Sequence, residues 1–216
     1  PGNHLDVRMG CAYTLLGTGV IDPIVAPGDS RQPGTDFYAS TIIECPGDEP
    51  DPDPTGGGGV EICDTQQLFI HLRAPTNAVG FSFDFIYLTT EYPEWVGMGF
   101  NDTFYANLQA ATTNGGATTG VSFDPFFREI SVNADFFEDP PETNLAGTGF
   151  DDFIDGAFVG GSTGWYRTAW PVDPNEVFLL TFSVHDEGDG VFDSLVIIDN
   201  FRWLFAAPTP STTQLK

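Results

Sequence analysis

The chain is short of cations. Only seven of its 216 residues are Lys or Arg, against thirty-one Asp and Glu, giving a formal net charge of −24. Affinity for phosphate backbones needs clustered cations, so nucleic acid is excluded as a partner, and anionic lipid surfaces are excluded for the same reason. Long apolar runs are also missing. None approaches the roughly 20 residues that a helix needs to cross a bilayer, so no membrane insertion is expected. The sequence opens on Pro1 and contains no stretch with the pattern of a signal peptide, and the chain is expected to be a processed or trimmed product. The three cysteines, Cys11, Cys45 and Cys63, lack the spacing of a metal motif, which argues against zinc. The run Gly56–Gly59 has no following Lys or helix, so it is not a phosphate loop. None of His4, His71 and His185 stands with a Ser or Cys in a nucleophile motif, and no catalytic residue is assigned.

What is present is core material. Aromatic residues make up 14% of the chain, Phe alone numbering 20, and this is too apolar for a disordered polymer. Alternation with a period of two marks the strands. Val79, Phe81, Phe83, Phe85 and Tyr87 share one phase, as do Leu68, Ile70 and Leu72, and then Phe178, Leu180, Phe182 and Val184. Further strands are expected at Thr103–Leu108, Glu129–Asn133, Trp165–Trp170 and Leu195–Trp203. One or two more are expected within Tyr13–Ile21. Asn114-Gly115 suits a tight hairpin, and 136–161 reads as a long ordered loop. Many short strands with Gly/Pro turns and no long amphipathic helix predict an all-β fold. The expected form is an antiparallel β-sandwich, jelly-roll-like, with long loops and little helix.

One domain is expected over 1–205. Within it, 46–59 is a flexible Asp/Pro/Gly insertion, and 206–216 reads as a Pro/Thr/Ser-rich linker or tail. A Cys45–Cys63 disulfide would pin that insertion and would fit an oxidising exterior, leaving Cys11 over.

The stretch His185–Ser194 packs Asp186, Asp189 and Asp193 into a glycine-rich loop, and Asp199 follows in the next strand. Strict alternation sets Asp199 on one face with Leu195, Ile197, Phe201 and Trp203. A lone carboxylate buried there costs several kcal/mol, so it must be paired or bound. Clustered carboxylates repel unless a cation joins them, and hard oxygen ligands suit Ca²⁺. A second donor set, Glu91, Asn101 and Asp102, follows the strongest core strand, and the two sets can meet at one rim. Glu94, Glu187 and the Asp51/Asp53 pair read as solvated surface.

Glu91 with Glu94, or Asp186 with Asp189, could be posed as the acid/base pair of a glycoside hydrolase. That chemistry needs two carboxyls facing each other across a cleft. Trp95, Trp170 and Tyr166 are candidates for a sugar-stacking surface.

Phe83-Asp84-Phe85 leading to Glu91-Tyr92-Pro93-Glu94-Trp95-Val96 and Phe100-Asn101-Asp102-Thr103-Phe104 resembles the hallmark of bacterial choice-of-anchor L domains. The same resemblance runs through Gly164-Trp165, Thr168, Pro171-Val172 and Phe182–Ser194, and closes on Ile198–Trp203. It covers the chain from about Leu68 onward. It implies a secreted bacterial surface domain with a β-sandwich fold and a varied C-terminal anchor. The expected role is therefore a non-enzymatic, calcium-stabilised module at a bacterial surface or in an extracellular assembly. Its expected partners are other extracellular proteins or copies of itself. The alternatives are a calcium-dependent glycan-binding module and, third, a hydrolase.

Overall fold

The structure, a computed structural model, describes residues 7–19, 52–53, 62–133, 145, 150, 152–154, 157–188, 190 and 192–215. Every regular element among them is a strand. In chain order these are β1 (Thr14–Gly17), β2 (Ile62–Arg73), β3 (Gly80–Thr89), β4 (Thr103–Ala110), β5 (Thr118–Gly120), β6 (Ile130–Ser131) and β7 (Asp152–Ile154). They continue with β8 (Ala157–Val159), β9 (Gly161–Ser162), β10 (Tyr166–Pro171), β11 (Val177–Glu187), β12 (Ser194–Leu204) and β13 (Ser211–Gln214).

One sheet runs β1-β12-β3-β10-β13, with β9 also on β3; the other runs β2-β11-β4-β5, with β6 on β4. All pairings are antiparallel. The two sheets face each other over a phenylalanine core, and the expected all-β sandwich is the observed fold. Phe83 meets Phe182 edge-on at 4.9 Å, and Phe85 meets Phe104 at 5.1 Å. Burying each ring contributes about 1.5–3 kcal/mol, and the tilted geometry suits the ring quadrupoles.

β3 is buried on both faces. Phe81, Phe83, Phe85 and Tyr87 fill the space between the sheets, while Ile86 and Leu88 lie in a second cluster with Trp165, Leu195 and Ile197. A sandwich strand that carries apolar residues in both phases needs such an outer layer.

Two expectations change. Residues 206–216 are not a free linker, because β13 adds to the sheet edge with Thr212 opposite Thr168. Nor is 136–161 loop throughout: β7 and β8 pair as a hairpin and β9 joins β3. The insertion 46–59 is described only at Pro52 and Asp53, and the Pro52 carbonyl accepts a bond from Asn107 Nδ2 at 2.9 Å.

A β-bulge reshapes β12. Asp199 pairs with Asp84 and Arg202 with Ser82, so Asn200 and Phe201 together oppose Phe83. Asn200 takes the left-handed conformation, φ 56°, which Asn tolerates better than most side chains. The extra residue reverses the side-chain phase. Val196 and Ile198 point between the sheets before it, and Phe201 and Trp203 pack there after it. Leu195, Ile197 and Asp199 therefore do not share a face with Phe201 and Trp203, which corrects the alternation read from sequence.

Candidate functional site

The inward phase of β11 ends on an acid. Phe178, Leu180, Phe182 and Val184 lie in the core, and Asp186, next in phase, is 1% exposed. Asp102 enters from the residue before β4 and Asp193 from the residue before β12; both are buried, as is Glu91 just past β3. The tip of Tyr87 completes the group. Its hydroxyl bonds Ser194 Oγ at 3.0 Å and the Asp102 carbonyl at 2.8 Å. Ser194 Oγ donates to Asp102 Oδ2 at 2.7 Å, and the Glu187 amide donates to Asp102 Oδ1 at 3.1 Å.

The end of β1 closes this cluster. Thr18 N donates to the Ser194 carbonyl at 3.0 Å, and Ser194 N donates to Thr18 Oγ1 at 2.9 Å. Gly19 lies so close to Asp193 that an added Cβ would come within 1.6 Å of its carboxylate. Any larger residue there would displace the Asp193 carboxylate.

Burial sets the electrostatics. It pushes the Asp102 carboxyl up to about 7, even with Ser194 and the Glu187 amide favouring its anion. It lifts Asp186 well above the ordinary carboxylate range, and the neighbouring charge of Asp102 adds to this. Tyr87 is raised as well, by burial and then by Asp102. Neither oxygen of Asp186 makes a well-formed hydrogen bond. A buried acid in that position must keep a proton or gain a cation.

Asp186 has no well-formed hydrogen bond, only weaker approaches of the Thr18 and Asp102 side chains, and hard oxygen donors around such an acid would suit a calcium ion. Asp186, Asp102, Asp193 and Glu91 are the residues that would hold the ion. Among the described residues no three acidic, histidine or cysteine groups are already assembled around one point. Asp189 lies outside the described residues.

Asn101 and Asp199 do not join the cluster. Asn101 Oδ1 accepts the Asn133 amide at 3.1 Å. Asp199 belongs to a second polar centre, on the outer face of the other sheet, where its Oδ2 accepts the Arg8 and Met9 amides at 2.6 and 3.1 Å. Next to it, Asp84 is fully buried and receives Arg167 Nε at 2.6 Å, Asn200 Nδ2 at 2.7 Å and Arg8 Nε at 3.0 Å. Burial alone would raise the Asp84 carboxyl; the bonds from Arg167, Asn200 and Arg8 outweigh it and hold the group below its ordinary value. This centre is a finished ion-pair network with cations of its own.

The sugar-stacking candidates separate. Tyr166 is buried in the core against Phe85, 6.0 Å between rings, so it offers no outer surface. Trp170 is half-buried against Phe123, and Trp95 packs at the rim on Phe100 and Phe192. The posed acid/base pair divides too, with Glu91 buried and Glu94 exposed. His185 is fully buried, Nε2 lying 3.1 Å from Glu187 Oε1. Cys11 is free and exposed; Cys63 is buried, and the expected bridge reaches Cys45, outside the described residues.

Sequence reasoning missed Tyr87, Ser194 and Thr18 as partners of the acids, and Asp84 as an ion-pair hub. Asp84 carried a signal: an acid amid Phe83 and Phe85 in a strand whose two phases are both apolar. Compared with protein-family models, curated proteins and solved structures, the chain matches none.

Proposed function

We infer that this chain is a non-enzymatic extracellular module, a β-sandwich stabilised by calcium and serving adhesion or a structural assembly at a bacterial surface. The observation that carries the reading is Asp186, an acid buried among Asp102, Asp193 and Glu91 whose own oxygens are left without well-formed hydrogen bonds. An ion held there supplies the positive charge that the site lacks. The residues bind it through oxygen, and Ser194 and the Glu187 amide orient Asp102 toward the cluster. Because Asp102, Asp186 and Asp193 come from segments of both sheets, the ion ties the sheets together and fixes the end of β1 at Thr18. The extracellular placement follows the choice-of-anchor L resemblance, and a −24 surface suits a role in which neither nucleic acid nor anionic lipid is met.

The test is thermal melting and calorimetric titration with calcium against chelator. Calcium is expected to raise Tm by several degrees and to bind with favourable affinity. Equal melting temperatures in calcium and chelator, with no binding heat, would overturn the reading.

A further inference from the structure

The four sheet edges of the sandwich are unequal. β1 and β13 bound one sheet and β5 bounds the far side of the other, and these three are only three or four residues long. β2 forms the remaining edge over twelve residues, Ile62–Arg73. One side of it pairs with β11; among the described residues no strand pairs with the other. Burial shows how open this edge is. Phe178, Leu180, Phe182 and Val184 of β11 are buried, whereas Leu68, Ile70 and Leu72, which pack against the same core from β2, are only half-buried. On the outer face, Phe69 is 58% exposed.

A long edge strand presents a row of unpaired N–H and C=O groups, and proteins ordinarily blunt it with charge, proline or a bulge. β2 has an irregularity between Cys63 and Gln66 at its start and Arg73 at its end. From Gln66 to Leu72 it carries no Pro, Lys, Arg, Asp or Glu, and its pairing with β11 is regular.

We propose that β2 pairs antiparallel with β2 of a second copy, joining two five-stranded sheets across a two-fold axis. Length, charge and pattern each select a second copy of β2. Among the described residues no other edge is long enough to match this one, and β2 matches itself. A net charge of −24 makes copies repel, yet none of the acids lies between Thr65 and Arg73, and the β11 residues beside them on the outer face, Val177, Leu179 and Thr181, are uncharged. The pattern is symmetric about Phe69. Alternation requires inward residues to stand opposite inward ones. Centred on Phe69, the pairing sets Phe69 against Phe69 and Leu68 against Ile70. It sets His71 against Gln67 and Arg73 against Thr65, so no cation meets a cation. The contact is isologous and closes at a dimer. It rests on the assembly role proposed above and not on the ion: melting in calcium tests the site, and sedimentation tests the contact.

Sedimentation of the whole chain at rising concentration, up to millimolar, should show a mass that doubles and goes no further. Amides on the outward side of β2 should exchange hydrogen more slowly as the dimer forms. Phe69→Lys and Phe69→Glu place like charges directly opposite each other across the axis. Each alone should dimerise at least tenfold more weakly than the parent while keeping its Tm, because Phe69 lies at the surface. Mixed in equal amounts, the two should recover a dimer that added salt weakens. A parent that stays monomeric throughout, single variants that dimerise as the parent does, a mixture that associates no better than either variant alone, or a dimer with unchanged exchange along β2 would each overturn the pairing.

Discussion

Asp102 and Asp186 lie side by side in the core, yet well-formed hydrogen bonds reach only one of them. Ser194 and the Glu187 amide serve Asp102, while both oxygens of Asp186 lack a well-formed bond. Asp186→Asn should therefore raise stability in chelator near neutral pH, because the amide is neutral without having to bind a proton, and should abolish most of the gain from calcium. At a few °C per kcal/mol for a chain of this size, a gain of about 1–2 kcal/mol is visible by calorimetry. A variant that still gains the parent's full Tm increment from calcium would place the ion elsewhere.

The same pair sets a pH dependence without calcium. Both carboxyls are raised in the fold, Asp102 to about 7. The native state thus binds protons more tightly than the unfolded chain, whose Asp titrates near 3.9. The stability contributed by these protons is complete below about pH 4 and is lost as pH rises through 7. In chelator, Tm should fall between pH 5 and pH 8; saturating calcium should flatten that slope. A Tm in chelator that rises over this range would contradict the assignment.

Asp84 behaves oppositely. Its lowered value means that its contribution is present above the unfolded pKa and disappears as pH falls through the folded one. Asp84→Ala strips Arg8, Arg167 and Asn200 of their acceptor and should cost about 3 kcal/mol, the low end for a broken buried pair because both arginines reach solvent. Denaturant melts would measure it. Asp199→Ala, which loses only the Arg8, Met9 and Asn200 amides, should cost less and leave the calcium response intact.

Tyr87→Phe deletes one hydroxyl at the centre of the network. Ser194 Oγ and the Asp102 carbonyl lose a buried partner, a cost of about 1–3 kcal/mol. The effect should be smaller at pH 5 than at pH 8, because a protonated Asp102 restores a donor nearby. A pH-independent cost would show that the hydroxyl serves packing alone.

Removal of residues 208–216 separates strand from linker. β13 pairs with β10, and the Leu215 amide bonds the Trp165 carbonyl at 2.8 Å. Truncation should lower stability by roughly 2 kcal/mol, from several ladder bonds at about 0.5–1.5 kcal/mol each. An unchanged Tm would restore the reading of this segment as a tail.

Period-two alternation by itself determined that the chain is all-β and which phase of β3 and β11 forms the core, because that signal is local and Phe81 to Tyr87 repeat it without interruption. It also carried Asp186 inward, since the acid continues the phase of Val184. The grouping of Asp186 with Asp102, Asp193 and Glu91, and the exclusion of Asp199 and Asn101, were decided by tertiary structure. A single extra residue at Asn200 reverses every side chain after it, and alternation carries no mark of a bulge. The placement of Ser211–Gln214 as β13 depended likewise on a free edge of β10, which a polar Ser/Thr stretch cannot announce.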